Sequence, residues 1–277
     1  MDGTPLRVAE RMRVRSGAVR HVAVDGAADD DGLALQVDAD DARTLVADGV
    51  TLRLAVAGGA VQAATRGRDG TTRVVSLWPA PGARVAPFLV RAAAREQGGA
   101  VVALGRGSTL WVGLVDAQLA AEGPLVALPR AAAAVGAPAV AAWGGGGALA
   151  WAERTAGAGY VVVVASLTSA ADGEAEAPTV RVLGVGMSPA LAALPDGDLL
   201  LAYAVGGAGA HRVVLQRLAR DLAPRGEPIA LSPEALNAGQ PAIAVAAGGR
   251  ALVGFFGAEP GRAPSVLATP FACDPGL

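Results

Sequence analysis

Four segments of the chain begin alike, APFLVRAAA, APAVAAWGG, SPALAALPD and QPAIAVAAG. Their prolines, Pro87, Pro138, Pro189 and Pro241, lie 51, 51 and 52 residues apart. The register runs on into the next segment. Leu-Ala-Trp-Ala at 149–152 aligns with Leu-Ala-Tyr-Ala at 201–204 and with Val-Gly-Phe-Phe at 253–256, so Trp151, Tyr203 and Phe255 recur every 52 residues. A repeat of this period means one small unit copied along the chain. Such a unit cannot bury its own apolar face and must stack on its neighbours.

Each unit reads as four short strands. From Pro138 they are AVAAW, GALAWAE, YVVVVASL and TVRVLG; from Pro189 they are ALAAL, LLLAYAV, HRVVLQRL and EPIAL. Short runs of Val, Leu and Ala between Gly, Pro and Asp are strand signals, and no segment keeps a 3.6-residue period for a helix. Glycine clusters and Pro195-Asp196-Gly197 supply the tight first turns. Four antiparallel strands every 40–50 residues is the pattern of a β-propeller blade. The predicted fold is therefore all-β: one propeller domain over 1–277, of six blades with four antiparallel strands each. The innermost strands are expected to start near residues 18, 50, 88, 139, 190 and 242. The last unit has three strands, so residues 5–15 are expected to complete it, closing the ring by pairing the N- and C-terminal strands and hiding sheet edges. The first two units are degenerate, which leaves five or seven blades open.

Composition narrows the classes. Apolar residues make up 52% of the 277, aromatics only 4%, and Gly (38) and Pro (18) together about a fifth. This is too apolar for a disordered chain. A formal net charge of −2 gives no polycationic field, so no nucleic-acid partner is expected. Residues 131–152 carry no charge over 22 positions, but Pro138 and five glycines make them a poor membrane span. Two strands and a turn explain them better, and no membrane insertion is expected. The lone Cys273 forms no internal disulfide, and one Cys with two His leaves a zinc shell short of ligands. The first residues lack an apolar signal core. The compartment stays open: cell envelope or secreted if a leader has been removed, cytoplasmic otherwise.

The string VVLQRLARDLAPRGEPIALS, lying between LLLAYAV and QPAIAVAAGG, resembles the repeat of large bacterial propeller-type surface proteins. Those carry apolar-x-Gln-Arg-Leu, an Asp- or Gly-bearing turn, Pro-x-Gly-x-Pro-Ile and then Pro-x-Val-Ala. The resemblance covers 187–256 and implies a bacterial propeller of envelope or secreted context, without an assigned activity. The Ser-x-Asp-x-Gly-x-x-Trp box of sialidases, the Trp-Asp ending of WD40 blades and the Asp-x-Asp-x-Asp-Gly loop of integrin-type blades are all missing from the sequence.

Several residue sets bear on function. Arg7, Arg11, Arg13 and Arg15 alternate with apolar residues, placing guanidinium groups on one face of a strand that suits a polyanion or an acidic partner. Arg20, Arg53 and Arg91 fall on the expected innermost strands of three consecutive blades, a pattern that converging carboxylate-binding arginines would show. A glycosidase would add two carboxylates about 5–10 Å apart, for which Glu96, Asp196 and Asp198 are the candidates. Asp29, Asp30 and Asp31, followed by Gly32, offer oxygens for Ca²⁺ but match no specific calcium loop. Gly186-Met187-Ser188-Pro189-Ala190 is only a partial Gly-x-Ser-x-Gly and reads as a hinge between blades. His21 reads as a buried strand residue, and Trp151, Tyr203 and Phe255 as packing between blades. Taken together, a monomeric, non-catalytic binding or scaffold module for a protein or polysaccharide is expected, with no cofactor. A sialidase-like carbohydrate-active enzyme and a calcium-binding propeller are the alternatives.

Overall fold

The computed structural model describes residues 7–8, 12–14, 42–47, 50–57, 59–66, 71–81, 89–96, 98–106, 108–128, 133–157, 159–169, 177–246 and 249–272. Every regular element among them is a β-strand. Two short strands come first, β1 (Arg7–Val8) and β2 (Met12–Val14). One sheet holds β3 (Ala42–Ala47), β4 (Val50–Ala57), β5 (Ala60–Arg66) and β6 (Thr72–Pro79). The next holds β7 (Leu89–Ala94), β8 (Ala100–Arg106), β9 (Thr109–Val115) and β10 (Ala121–Ala127). A third is built from β11 (Ala133–Trp143), β12 (Gly146–Thr155), β13 (Gly159–Thr168) and β14 (Thr179–Val185). The fourth contains β15 (Met187–Ala193), β16 (Leu199–Val205), β17 (Arg212–Leu218) and β18 (Ile229–Ala230). The last contains β19 (Asn237–Val245), β20 (Arg250–Ala258) and β21 (Ser265–Ala272), and both β1 and β2 pair antiparallel with β21. Within the first four sheets, and over β19–β21 of the last, the strands run in sequence order as an antiparallel meander. No helix among the described residues is long and apolar enough to cross a membrane, and the uncharged stretch 131–152 falls on β11, the Gly144-Gly145 turn and β12.

The chain divides into two compact units, Met1–Val24 with Ala150–Ala165 and Val180–Leu277, and Asp25–Leu149 with Ser166–Thr179. In the second unit, Leu52, Leu54, Val56 and Val61 of one sheet pack on Val90, Val102 and Leu104 of the next, capped by Trp78. The indole N–H of Trp78 donates to the Gly123 carbonyl at 2.8 Å, so its polar edge is satisfied as its ring is buried. In the first unit, Leu200, Val213 and Leu215 pack on Val253, Phe255 and Phe271.

Burial follows strand position. Positions 100–105 of β8 and 199–204 of β16 are buried on both faces, whereas the last strands β10 and β14 are mostly half-buried or exposed. A strand sandwiched between two sheets must be apolar at every position, not at alternate ones. Small Ala and Val side chains let the sheets approach, which is why the chain is apolar yet poor in aromatics. Trp151, Tyr203 and Phe255 are all buried, as their repeat position suggests.

The sequence and the structure differ at the second unit. The strand expected to open a blade at Val50 is instead β4, the second strand of its sheet. Arg43–Val46, expected to end the blade that starts near residue 18, lies in β3 and pairs with β4 from Ala42↔Ala55 to Ala47↔Val50. The physical reason is the two-residue connection Asp48-Gly49, a composition suited to a tight hairpin. The strands at 88, 139, 190 and 242 are first strands of their sheets, namely β7, β11, β15 and β19.

Candidate functional site

The residues singled out from the sequence do not assemble into one site. Arg11, Arg15, Arg20, Asp29, Asp30, Asp31, His21 and Cys273 lie outside the described residues. Arg7 and Arg13 sit on β1 and β2, opposite Ala272 and Leu267 of β21. Arg53 is on the second strand of its sheet, opposite Thr44 and Ala64, while Arg91 is on the first strand of the next, opposite Ala103. The two arginines therefore do not share a strand position. The Arg91 guanidinium donates to the neighbouring Val90 carbonyl at 2.7 Å.

The candidate carboxylates of the β15–β16 turn are held by arginine. Arg217 of β17 donates through Nε to Asp198 Oδ2 at 2.7 Å and through Nη2 to Asp196 Oδ2 at 2.6 Å. Arg225 adds a contact at 3.3 Å to the same Asp198 oxygen. Asp198 is 8% exposed and Arg217 9%, so that pair is nearly dry, whereas Asp196 is exposed at the turn. A carboxylate held in this way lacks the freedom to approach a substrate that a general acid needs. The β7–β8 turn carries a counterpart of opposite polarity. There Arg95, 8% exposed, donates to Glu122 of β10 at 2.6 Å and to the Gly144 carbonyl at 2.8 Å. In both sheets a charged turn residue is tied to a later strand, which makes them fasteners of the hairpins. Glu96, the third candidate, stands exposed in the same turn.

A cleft of about 430 Å³ lies in the first unit, formed by β15, β16, β19, β20 and the entry to β17. Its polar lining is Ser188, His211, Asn237 and Gln240, and Phe256 stands among them, 37% exposed. No carboxylate or arginine lines it; His211 is its only titratable side chain. Two of the polar residues hold unusual backbones, Ser188 at φ +51° and Gln240 at φ +50°. Each precedes a repeat proline, and each sits in a bulge with one extra residue. On β15, Met187 pairs with Ala204 and Ala190 with Ala202; on β19, Gly239 pairs with Phe256 and Ala242 with Gly254. A left-handed conformation costs a residue with a Cβ about 1–2 kcal/mol. Proline after it adds to the restriction. Both residues are thus kept at a cost, side by side, at the edge of one cleft.

The site escaped the sequence reading for a definable reason. Ser188 reads there as a hinge because its repeat counterparts are Ala86 and Ala137, and Gln240 receives no attention. The available signal is that the pre-proline position changes from Ala in the earlier repeats to Ser and Gln in the last two. Asn237, His211 and Phe256 are joined to that position only by folding.

The chain matches no family model and no curated protein sequence. Among solved structures it is similar to a protein of unknown function from Dyadobacter fermentans, with 17% identity and a TM-score of 0.53 over 83% of this chain and 75% of that one. Two structures of the NanB sialidase from Streptococcus pneumoniae align at 10% identity, with TM-scores of 0.50 and 0.51. These cover 77% of this chain but only 36% of the sialidase chains, so the present chain corresponds to about a third of that protein. Likeness at these identities is a likeness of fold alone: the chain has an all-β, propeller-like architecture of stacked antiparallel sheets.

Proposed function

We propose that the chain is a non-catalytic binding module of propeller type, and that the cleft bounded by Ser188, His211, Asn237, Gln240 and Phe256 is where it takes its partner. The observation that carries this reading is the lining itself. It combines an aromatic ring with hydrogen-bonding groups, the composition of a recognition pocket, and lacks the paired carboxylates of a hydrolase. The carboxylates Asp196 and Asp198 are occupied by Arg217 elsewhere in the same unit, which supports the same reading. Closure of the sheets into a six-bladed ring belongs to this proposal.

Two measurements test it together. The protein labelled with ¹⁵N is titrated with a soluble fragment library, and separately incubated with 4-methylumbelliferyl glycosides including the sialoside. The expected result is amide shifts clustered at Ser188, His211, Asn237 and Gln240, with no fluorophore released above the buffer blank. Turnover that disappears in Arg91→Ala, or shifts that avoid the cleft, would overturn the proposal.

A further inference from the structure

Resting on the reading of the cleft as a binding surface, we infer its ligand class: a neutral polysaccharide, with one sugar ring lying on Phe256 and its hydroxyls meeting Asn237, Gln240 and Ser188. The hydrogen-bonding inventory is the starting point. The backbone N–H of His211 donates to the side-chain oxygen of Asn237 at 3.0 Å. Only the oxygen of an amide can accept, so this bond fixes which way Asn237 is turned and leaves its NH₂ group directed elsewhere. The side chains of Gln240 and Ser188 are exposed to solvent at the same cleft. The cleft therefore offers a mixture of donors and acceptors and no carboxylate or guanidinium group. Sugar hydroxyls each donate and accept, which is the complement of such a set.

Charge narrows the class further. The lining holds no carboxylate or guanidinium group that would pair with a charged ligand, so it offers nothing that selects an ion over a neutral molecule. Phe256 then calls for a ligand that is apolar on one face and polar around its rim. A pyranose ring, with its C–H face and equatorial hydroxyls, has that shape, and an aromatic ring serves as a rigid apolar surface at small entropic cost.

The bulges argue against the main competitor, an extended peptide. Strands β15 and β19 are the end strands of their sheets, where a peptide would add by main-chain pairing. At Ser188 and Gln240 the ladder is broken and the backbone turns left-handed, which blunts both edges against such addition. The same bulges project the two polar residues at fixed angles towards the cleft. Gly239 and Gly257 line it as well.

The test uses the full chain and four neutral hexasaccharides, cellohexaose, xylohexaose, mannohexaose and laminarihexaose, titrated by calorimetry. Polygalacturonate serves as the anionic comparison and a displayed dodecapeptide library as the peptide comparison. The expected result is saturable binding of at least one neutral hexasaccharide, weakened at least about tenfold by Phe256→Ala and by Gln240→Gly. Gln240→Gly is the informative variant, because glycine accepts φ +50° without strain and its melting temperature is expected to hold or rise while binding falls. If all four hexasaccharides fail, or bind equally well to both variants, the glycan inference is overturned. A selected peptide whose binding is lost in Phe256→Ala would then leave the cleft standing as a binding surface with a different ligand. Cleavage of the bound hexasaccharide would instead refute the non-catalytic reading while leaving the glycan assignment intact.

Discussion

Tyr203 lies in the buried core of its sheet, 7% exposed, and burial raises its phenol above the ordinary value of 10.0. The ionised form is disfavoured because charge loses its hydration there. The unfolded chain releases this proton first, so the folded state loses relative stability as pH climbs through the alkaline range. Below pH 10 the contribution is complete. We expect urea midpoints of the protein to fall between pH 9.5 and 11 and Tyr203→Phe to flatten that fall; equal slopes would contradict it. The same ring dictates a glycine. A Cβ on Gly186 would stand 2.6 Å from Tyr203 Cδ2 and 3.0 Å from the Ala204 carbonyl, closer than packed atoms tolerate. Gly186→Ala should cost on the order of 1–3 kcal/mol by overpacking, seen as a lower denaturation midpoint. Neither demand is visible in the local string GVGMSP. The tyrosine's role is legible from its 52-residue recurrence, but the glycine beneath it is not.

Among the elements, the first hairpins of the β7 and β15 sheets are secured by arginine, once from the turn and once from the third strand. Arg217 is the more exposed to test, because it serves two carboxylates at once. Arg217→Met keeps most of the side-chain volume but strands Asp198 in a nearly dry position, with Arg225 as its remaining cation at 3.3 Å. Removing one partner of a buried pair typically costs about 3–5 kcal/mol, and the residual Arg225 contact places the expected loss near the lower figure. Adding Asp198→Asn to that variant should recover part of it, since the stranded charge is then gone. A double-mutant cycle by chemical denaturation decides this, and additive losses would refute the coupling. Sequence alone offers Asp196 and Asp198 as possible acids because a carboxylate in a turn looks alike whether free or paired. What decides between the two is Arg217, 19 and 21 residues away on another strand. Local strings fared better with strands than with register: the apolar runs locate β7, β15, β16 and β20, whereas Asp48-Gly49 was the hairpin cue that sets β3 against β4.

At the scale of the whole molecule, the repeat that announces the fold also points to a long-range strand pairing within the first unit. Strands β1 and β2 pair with β21, joining Arg7 to Ala272 and Val14 to Val266 across nearly the full sequence. This pairing was legible because the last repeat is one strand short, an arithmetic that needs no knowledge of side-chain contacts. The cleft was not legible in the same way, since it gathers residues from four strands and the segments that lead into β17 and β21. Contacts of such separation are entropically costly to make and form late, once the intervening sheets are in place. Their loss should therefore weaken the finished sheet more than its assembly. A variant lacking residues 1–16 leaves β21 as an edge strand with a row of unpaired N–H and C=O groups beside buried Phe271 and Ala268. We expect it to melt several degrees lower and to scatter light in a concentration-dependent manner, because free edges recruit other chains. A synthetic peptide of residues 1–16 added in excess should raise the melting temperature again, as any ligand confined to the folded state does. A truncated chain that melts like the full one and stays monomeric would show that β21 needs no partner. Recovery by the peptide, absent with a scrambled peptide of the same composition, would place the effect in strand pairing and exclude the charge of its four arginines, Arg7, Arg11, Arg13 and Arg15, as the cause.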